Sequence, residues 1–184
     1  MAARPRHIVV MGISGSGKTT IATHLTEVLG WTFAEADEFH PAANIEKMTA
    51  GTPLTDADRW PWLEAMRDWM TGEAGAGRST VVTCSALKRS YRDLLRGADG
   101  DVSFVHLSGD PDLIRERMKS RSGHFMPASL LPTQISTLEP LQDDEPGLAI
   151  ENVGTPDEVT ARITRELSLE TDADRTGAGT ADSR

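Results

Sequence analysis

The run Gly12–Thr19 combines residue types and a spacing that point to phosphate chemistry. It reads GISGSGKT and fits the pattern G-x-x-x-x-G-K-[ST]. The glycines allow the backbone to curl so that successive N–H groups point at phosphates, and the positive end of a following helix strengthens the attraction. We expect Lys18 to reach the β- and γ-phosphates of a nucleoside triphosphate and the Thr19 hydroxyl to bind Mg²⁺. The residues predicted to contact the nucleotide are Gly12, Ile13, Ser14, Gly15, Ser16, Gly17, Lys18, Thr19 and Thr20.

The elements on either side of this run suit a phosphate loop. Residues 8–11 are apolar and mostly β-branched, which is typical of a strand buried on both faces. Within residues 18–29 apolar positions recur at i, i+4, i+7 and i+8, so they share one face of a helix that Gly30 ends. A glycine-rich turn without a ligand is the alternative interpretation, and the strand before it and the helix after it count against that.

Strands alternate with helices along the rest of the chain. This order predicts an α/β fold in which helices cover both faces of a mainly parallel sheet. The predicted strands are 8–11, 31–34, 79–84, 102–107 and 148–150. The predicted helices are 18–29, 58–70 with Pro61 in its first turn, 88–96, one opened by 110–111 and one opened by the capping box 155–158. We expect one domain over residues 1–169 and a disordered tail over 170–184, which has no large apolar residue.

The composition excludes several classes of protein. The 184 residues carry 19 Lys and Arg against 28 Asp and Glu, so the formal net charge is −9, which argues against a sequence-independent nucleic-acid binder. The single cysteine has no partner for an intramolecular disulfide, and the apolar run near the start is too short to span a membrane. We therefore expect a cytoplasmic protein that binds neither nucleic acid nor membrane. A negative net charge does not exclude an anionic small substrate.

A phosphate loop does not by itself identify the reaction. A GTPase switch needs the motif N-K-x-D, and neither of the two asparagines, Asn44 and Asn152, begins it. The D-x-x-G matches at 144–147 and 174–177 do not follow predicted strands. No predicted strand ends in a separate metal-binding aspartate, which favours small-molecule kinases whose carboxylates after the second strand serve both metal and acceptor. A non-enzymatic nucleotide-binding switch is the alternative.

Six further blocks of sequence are distinctive. They are DEFHP at 37–41, NIEKM at 44–48, GTPLTDADR at 51–59, PWL at 61–63, CSALK at 84–88 with YRDLLR at 91–96, and GHF at 123–125. With these blocks in this order, the chain resembles the bacterial gluconate kinases over about residues 8–165.

The resemblance implies a P-loop kinase fold of the shikimate-kinase and nucleoside-monophosphate-kinase type, with a five-stranded parallel sheet and a mobile lid. It also implies phosphorylation of the 6-hydroxyl of D-gluconate with ATP and Mg²⁺, usually by a homodimer. A related kinase acting on shikimate or another sugar acid is the alternative among enzymes.

Two carboxylates follow the second predicted strand. Asp37 lies at the carboxyl end of that strand and so beside the phosphate loop, where we expect it to hold the acceptor hydroxyl and accept its proton. Glu35 is expected to order Mg²⁺ through water, although the similar site of shikimate kinases carries Asp in its place. A helix-capping or solvated role for Asp37 is the alternative.

The remaining candidates for binding the sugar acid are basic side chains. Gluconate carries a carboxylate and several hydroxyls, so its pocket should combine cations with hydrogen-bonding groups. Arg59 and Lys88 each lie at the start of a predicted helix, where the helix dipole opposes a cation unless an anion compensates. His40 precedes Pro41 in a predicted irregular segment, which favours a side chain that points into a cleft. For His40 and Lys88 an ordinary surface role is the alternative.

Residues 115–135 are predicted to form the lid. Four cations lie within seven positions ahead of a glycine hinge. Closure would bring Arg117 or Arg121 onto the triphosphate, stabilise charge during phosphoryl transfer and exclude water. His124 and Gln134 would then complete the acceptor site. The same run of charge is also compatible with an ordinary solvated helix end.

Overall fold

Short apolar runs of the chain pair as one parallel sheet in a computed structural model that describes residues 3–120 and 128–177. The strands are β1 (Arg6–Met11), β2 (Thr32–Ala34), β3 (Thr80–Thr83), β4 (Asp101–Ser108) and β5 (Gly147–Glu151). Their order in the sheet is β2-β3-β1-β4-β5, and each pairing is parallel. The carboxyl ends of the strands therefore lie at one edge. The predicted α/β fold with a five-stranded parallel sheet is confirmed.

Helices cover both faces of this sheet. Those described are α1 (Lys18–Leu29), α2 (Ala42–Thr49), α3 (Asp56–Gly75), α4 (Arg89–Leu95), α5 (Pro111–Ser120), α6 (Leu131–Thr137), α7 (Pro156–Glu166) and α8 (Asp172–Gly177), with 3-10 turns at Ala36–Phe39 and Ala128–Leu130. None of them is long and apolar enough to cross a membrane.

The alternation of side chains along β1 divides the core into two layers. Ile8 and Val10 pack with residues of α1 and α7, whereas Val9 and Met11 pack with residues of α3 and α4. All four side chains are fully buried, as expected for the central strand of a parallel sheet. The phosphate-loop run therefore starts from the central strand of the sheet.

Helix α3 begins two residues earlier than predicted. Thr55 and Asp58 form a capping box, in which the Thr55 hydroxyl accepts a hydrogen bond from the Asp58 N–H at 3.2 Å and the Asp58 carboxylate accepts one from the Thr55 N–H at 2.9 Å. Pro61 therefore lies inside the helix. The sequence pattern predicts it in the first turn. The segment after His40, predicted to be irregular, continues into α2.

Residues 172–177, within the segment expected to be a disordered tail, form α8. At its start the Thr171 N–H donates to the Asp174 carboxylate at 2.9 Å, and the Asp174 N–H donates to the Thr171 hydroxyl at 3.3 Å. Arg175 then donates to the last carbonyl of α1, an acceptor that a helix end leaves unpaired. Polar contacts thus order a segment that has little apolar surface to bury. Residues 178–184 lie outside the described part of the chain.

An ion pair between Arg92 of α4 and Glu145, just before β5, is buried in the protein. Both side chains are 0% exposed, and their two hydrogen bonds measure 2.6 and 2.9 Å. Arg92 also donates to the carbonyls of Ala86 and Glu139, each at 3.0 Å. Although burial favours the protonated acid, the hydrogen bonds from Arg92 lower the pKa of Glu145. One guanidinium thus connects three separate segments of the chain.

Removing the carboxylate of this pair should destabilise the protein strongly. We expect Glu145→Ala to lower the free energy of unfolding by about 3–5 kcal/mol, because it leaves the Arg92 guanidinium buried without its counter-ion. Equilibrium unfolding in urea measures the change. The matched control is Asp144→Ala, which removes the exposed partner of Arg89 and should cost less than about 1 kcal/mol. Equal losses in the two variants would contradict the assignment.

Candidate active site

Three glycines shape the phosphate loop between β1 and α1. Gly12, Gly15 and Gly17 have φ values of +147°, +80° and +95°, a region that favours glycine. Lys18 opens α1, and its Nζ donates to the carbonyls of Gly12 and Ile13, both at 3.0 Å. Loop N–H groups, the positive end of α1 and this ammonium therefore converge, which is the arrangement that binds nucleotide phosphates.

Two neighbouring elements lie close against the loop. A Cβ on Gly15 would lie 2.9 Å from Met118 Cγ of α5, and one on Gly17 would clash with Asn152 Nδ2. Asn152 follows β5, and its Nδ2 donates to the Ser16 carbonyl at 2.8 Å. Asn152 therefore holds the loop in place, a role that no motif predicted. Its position directly after β5 could have indicated this role, because β5 ends at the same edge of the sheet as β1.

A cleft beside the loop brings together most of the predicted site residues. Those that line it are Ser14, Gly15, Gly17, Lys18, Thr19, Glu35, Asp37, His40, Arg59 and Gln134. Gly12, Ile13 and Ser16 are buried within the loop, and Thr20 is exposed on α1 outside the lining. Residues that follow β1 and β2 thus face one space together with residues of α1, α3 and α6.

The two carboxylates after β2 are held by different means. Thr83, at the end of β3, donates from its hydroxyl to Glu35 and accepts a hydrogen bond from the Ala36 N–H at 3.2 Å. Because β2 and β3 are adjacent and parallel, this threonine fixes the direction in which the chain leaves β2. Asp37 follows in the 3-10 turn and is exposed at the cleft. It is the more accessible of the two carboxylates.

The donor set of the cleft suits Mg²⁺ bound together with phosphates. Thr19 offers a hydroxyl, and Glu35 and Asp37 offer carboxylates, all of them hard oxygen ligands. The described residues contain no group of three or more His, Cys, Asp or Glu side chains that could hold a metal alone. Mg²⁺ usually keeps several waters and takes few protein ligands beside substrate phosphates. The residues present therefore fit this metal.

His40 lies against Trp62 and is neutral. The two rings stack with centroids 4.1 Å apart and an interplanar angle of 12°. Burial and, secondly, the charge of Arg59 lower the pKa of His40 to about 4. Asn44 Nδ2 donates to the Asp58 carbonyl at 2.9 Å and lies 3.3 Å from His40 Nδ1. Because an amide nitrogen only donates, Nδ1 is the acceptor, and the imidazole carries its proton at Nε2.

The two predicted acid-binding cations are in different surroundings. Arg59 is half-buried and lines the cleft, and its Nη1 donates to the Tyr91 hydroxyl at 3.0 Å. Lys88 is not part of the lining, and its ammonium bonds both oxygens of Asp56 at 3.1 and 3.2 Å. The helix dipole predicts an anion near Lys88, and one is present. This anion is the side chain of Asp56 and not a bound ligand. Lys88 does not line the cleft with the other candidates, but Asp56 and Tyr91 connect it to Arg59.

The predicted lid residues are only partly described. Arg117 is exposed on α5 and does not line the cleft, while Arg121 and His124 lie outside the described residues. Gln134 of α6 is buried beside the loop, where its Oε1 accepts a hydrogen bond from the Ser14 N–H at 2.7 Å and its Nε2 donates to the Ser14 hydroxyl at 3.1 Å. Gln134 therefore contacts the phosphate loop directly.

Cys84 lies in the floor of the cleft, directly after β3. Its side chain is fully buried, and this burial raises the pKa of the thiol to about 12. The thiolate, which is the reactive form of cysteine, is therefore absent at neutral pH. Cys84 serves as a small packing residue of the core.

Known proteins are similar to this chain over most of its length. The family described as AAA domain matches residues 8–141, which include all the cleft residues named above. A gluconokinase of Gluconobacter oxydans (strain 621H) is 51% identical over 170 residues, or 92% of this chain and 96% of that protein.

Two solved structures share the fold and much of the sequence. An unliganded sugar kinase from Janibacter sp. HTCC2649 is 52% identical with a TM-score of 0.85, and the match covers 90% of this chain and 95% of the other. A gluconokinase from Sinorhizobium meliloti 1021 is 41% identical with a TM-score of 0.78, covering 97% of this chain and 98% of the other. Similarity at this level extends beyond the phosphate loop to the whole domain.

Acid should destabilise the fold partly through His40. The pKa of His40 is about 4 in the folded protein, below its ordinary value of 6.5, so the unfolded chain binds more protons between these values. The stabilisation is therefore complete above pH 6.5 and is lost as the pH falls towards 4.

We expect the melting temperature of a His40→Gln variant to fall less between pH 7 and pH 5 than that of the unaltered protein, by about 4–7 °C. Differential scanning calorimetry at the two pH values measures this difference. Equal losses in the two proteins would contradict a buried, neutral imidazole.

Proposed function

The chain belongs to the gluconokinase family, and we propose that it transfers the γ-phosphoryl group of ATP to the 6-hydroxyl of D-gluconate. The products are ADP and 6-phospho-D-gluconate. One observation supports this proposal most directly: the phosphate loop shares its cleft with a carboxylate, Asp37, and with a cation from another element, Arg59. A donor of phosphate and an acidic sugar acceptor can both be bound there.

The nucleotide side of the reaction depends on positioning. The loop N–H groups and Lys18 hold the triphosphate, and the positive end of α1 lowers the energy of the negative charge there. When bound, Mg²⁺ neutralises phosphate charge, and Thr19 would hold it directly and Glu35 through water. Phosphoryl transfer needs little covalent help from the protein, so orientation and electrostatics supply most of the rate.

The acceptor side depends on a base and on groups that hold the acid. The 6-hydroxyl oxygen forms a bond to the γ-phosphorus, the bond to the ADP oxygen breaks, and the hydroxyl proton passes to the Asp37 carboxylate. Arg59 attracts the carboxylate of gluconate. The neutral His40 donates from Nε2 to a sugar hydroxyl. Both groups fix the distance between the 6-hydroxyl and the loop.

Several further features of the proposal rest on the resemblance to bacterial gluconate kinases. One is a mobile lid over about residues 115–135. In this lid Arg117 or Arg121 contacts the triphosphate, and His124 and Gln134 contact the acceptor. A single kinase domain over residues 1–169, a homodimer and a cytoplasmic location belong to the same proposal, as does the absence of nucleic-acid and membrane partners.

A panel of acceptors tests the function. We expect gluconate to increase the release of ADP from ATP well above the rate without acceptor, and Lys18→Ala to abolish this stimulation, because the triphosphate loses its main cation. ADP is measured with a coupled assay in the presence of gluconate, shikimate, other sugar acids or nucleoside monophosphates. Stimulation by another acceptor but not by gluconate would refute the substrate, and no stimulation by any acceptor would refute the kinase.

The role of Asp37 has a separate test. We expect Asp37→Asn to reduce the turnover number with gluconate at least about a hundredfold, because the amide cannot accept the hydroxyl proton. The matched control is Glu38→Gln, which neutralises the adjacent exposed carboxylate outside the cleft lining and should leave turnover within about twofold of the unaltered enzyme. Near-normal turnover of Asp37→Asn would remove this residue from the mechanism.

A further inference from the structure

Tyr91 connects the cleft cation Arg59 to a carboxylate outside the cleft. The tyrosine is 1% exposed in the first turn of α4, and its hydroxyl lies between Arg59 Nη1, at 3.0 Å, and the carboxylate of Asp56. Asp56 is exposed and also bonds Lys88. The four side chains form a continuous chain of polar contacts from the cleft to the surface.

The direction of the hydrogen bonds in this chain is determined by chemistry. A guanidinium has donors but no acceptor, so the Tyr91 hydroxyl must accept from Arg59. The hydroxyl has a single proton, which therefore goes to the carboxylate of Asp56. Rotating this proton away would break the hydrogen bond to Asp56 Oδ1 and leave that oxygen with Lys88 as its remaining donor. The tyrosine oxygen consequently presents a lone pair to the guanidinium in one orientation.

Asp56 remains ionised and so keeps this orientation. The hydrogen bond from Tyr91 and then those from Lys88 lower the pKa of Asp56. Burial and the bond to Asp56 raise the pKa of the Tyr91 hydroxyl. At neutral pH the pair is therefore a phenol that donates to a carboxylate. Lys88, whose pKa is raised by its hydrogen bond to Asp56, supplies the compensating positive charge.

The aromatic ring of Tyr91 is held independently of its hydroxyl. Trp60 packs edge-on with ring centroids 5.5 Å apart and an interplanar angle of 79°. Arg59 Cζ and Lys88 Nζ lie 5.4 and 5.6 Å from the centre of the ring, within the range of cation–π attraction. Removing the hydroxyl alone therefore leaves the packing of the ring in place.

In this series of hydrogen bonds the partner of Arg59 is a neutral oxygen, the hydroxyl of Tyr91. Among the ion pairs within residues 3–120 and 128–177, none contains Arg59. A hydroxyl orients the guanidinium without cancelling its charge, so the charge remains available to an anion in the cleft. The neighbouring His40 responds to this charge, since Arg59 contributes to lowering the pKa of its imidazole.

We infer that Tyr91, anchored by Asp56, is a positioning residue that orients the Arg59 guanidinium towards the carboxylate of the acceptor. The inference rests on the proposed function and extends it to residues that do not line the cleft. Recognition of a carboxylate by arginine depends on the direction of the planar guanidinium. Tyr91 supplies that direction, and Lys88 acts in the same unit as the counter-ion of Asp56.

The first test is Tyr91→Phe. We expect the KM for gluconate to rise about five- to tenfold, as for the loss of one typical hydrogen bond. The turnover number and the KM for ATP should stay within about twofold, because the phosphate loop is unchanged. An unchanged KM for gluconate, or equal changes in both KM values, would overturn the inference.

A double-mutant cycle separates positioning from a general structural effect. If Tyr91 acts through Arg59, adding Tyr91→Phe to Arg59→Lys should raise the KM for gluconate by less than about twofold further, whereas independent effects would multiply. Multiplied effects would overturn the inference. An unchanged KM for gluconate in Arg59→Lys would also overturn the inference. Because that variant would still phosphorylate gluconate, the proposed function would remain intact.

A variant at the surface tests the same inference if Tyr91→Phe folds poorly. Asp56→Ala removes the acceptor of the tyrosine proton and should raise the KM for gluconate about threefold or more. The matched control is Asp93→Ala, which removes an exposed carboxylate of α4 that pairs with Arg89 and should leave this KM unchanged. A rise in both variants, or in neither, would overturn the inference. If the unaltered protein does not phosphorylate gluconate, the proposed function fails as well.

Discussion

The approach of the positive end of α1 to the carboxyl edge of the sheet is the constraint on which the rest of the protein depends. Parallel strands bring all their carboxyl ends to one edge. Gly12 after β1, Glu35 after β2 and Cys84 after β3 therefore lie close together although they are far apart in the sequence. The side chains of β3 and most of those of β1 are buried, as is typical of the inner strands of a parallel sheet. The phosphate loop and the carboxylates of Glu35 and Asp37 therefore lie at one cleft because of the topology.

Two arginines show how one fold uses the same group for opposite purposes. Arg92 is paired with Glu145, fully buried and bonded to three separate segments, so its charge is neutralised for the sake of structure. Arg59 has the neutral hydroxyl of Tyr91 as its partner, so its charge persists beside the cleft. An acidic protein can thus bind anions, because the local pairing of a few cations matters more than the net charge.

Sequence patterns predicted the sheet, the phosphate loop and most of the cleft, because periodicity and motifs are local properties. They did not predict which anion would compensate Lys88, since the dipole argument indicates an anion but not whether a ligand or Asp56 supplies it. Asn152 and Tyr91 were assigned no role for a related reason: each acts on a residue more than 30 positions away. Helix α8 forms through polar caps that an argument from apolar burial ignores.

The connection between β2 and β3 has a consequence for how such proteins change in evolution. These strands are neighbours in the sheet, yet residues 35–79 leave and return between them and carry Asp37, His40 and Arg59. The phosphate loop belongs to a different connection. A change confined to residues 35–79, whose ends are fixed by strand pairing, would therefore alter the side of the cleft that carries these three residues and leave the phosphate loop in place.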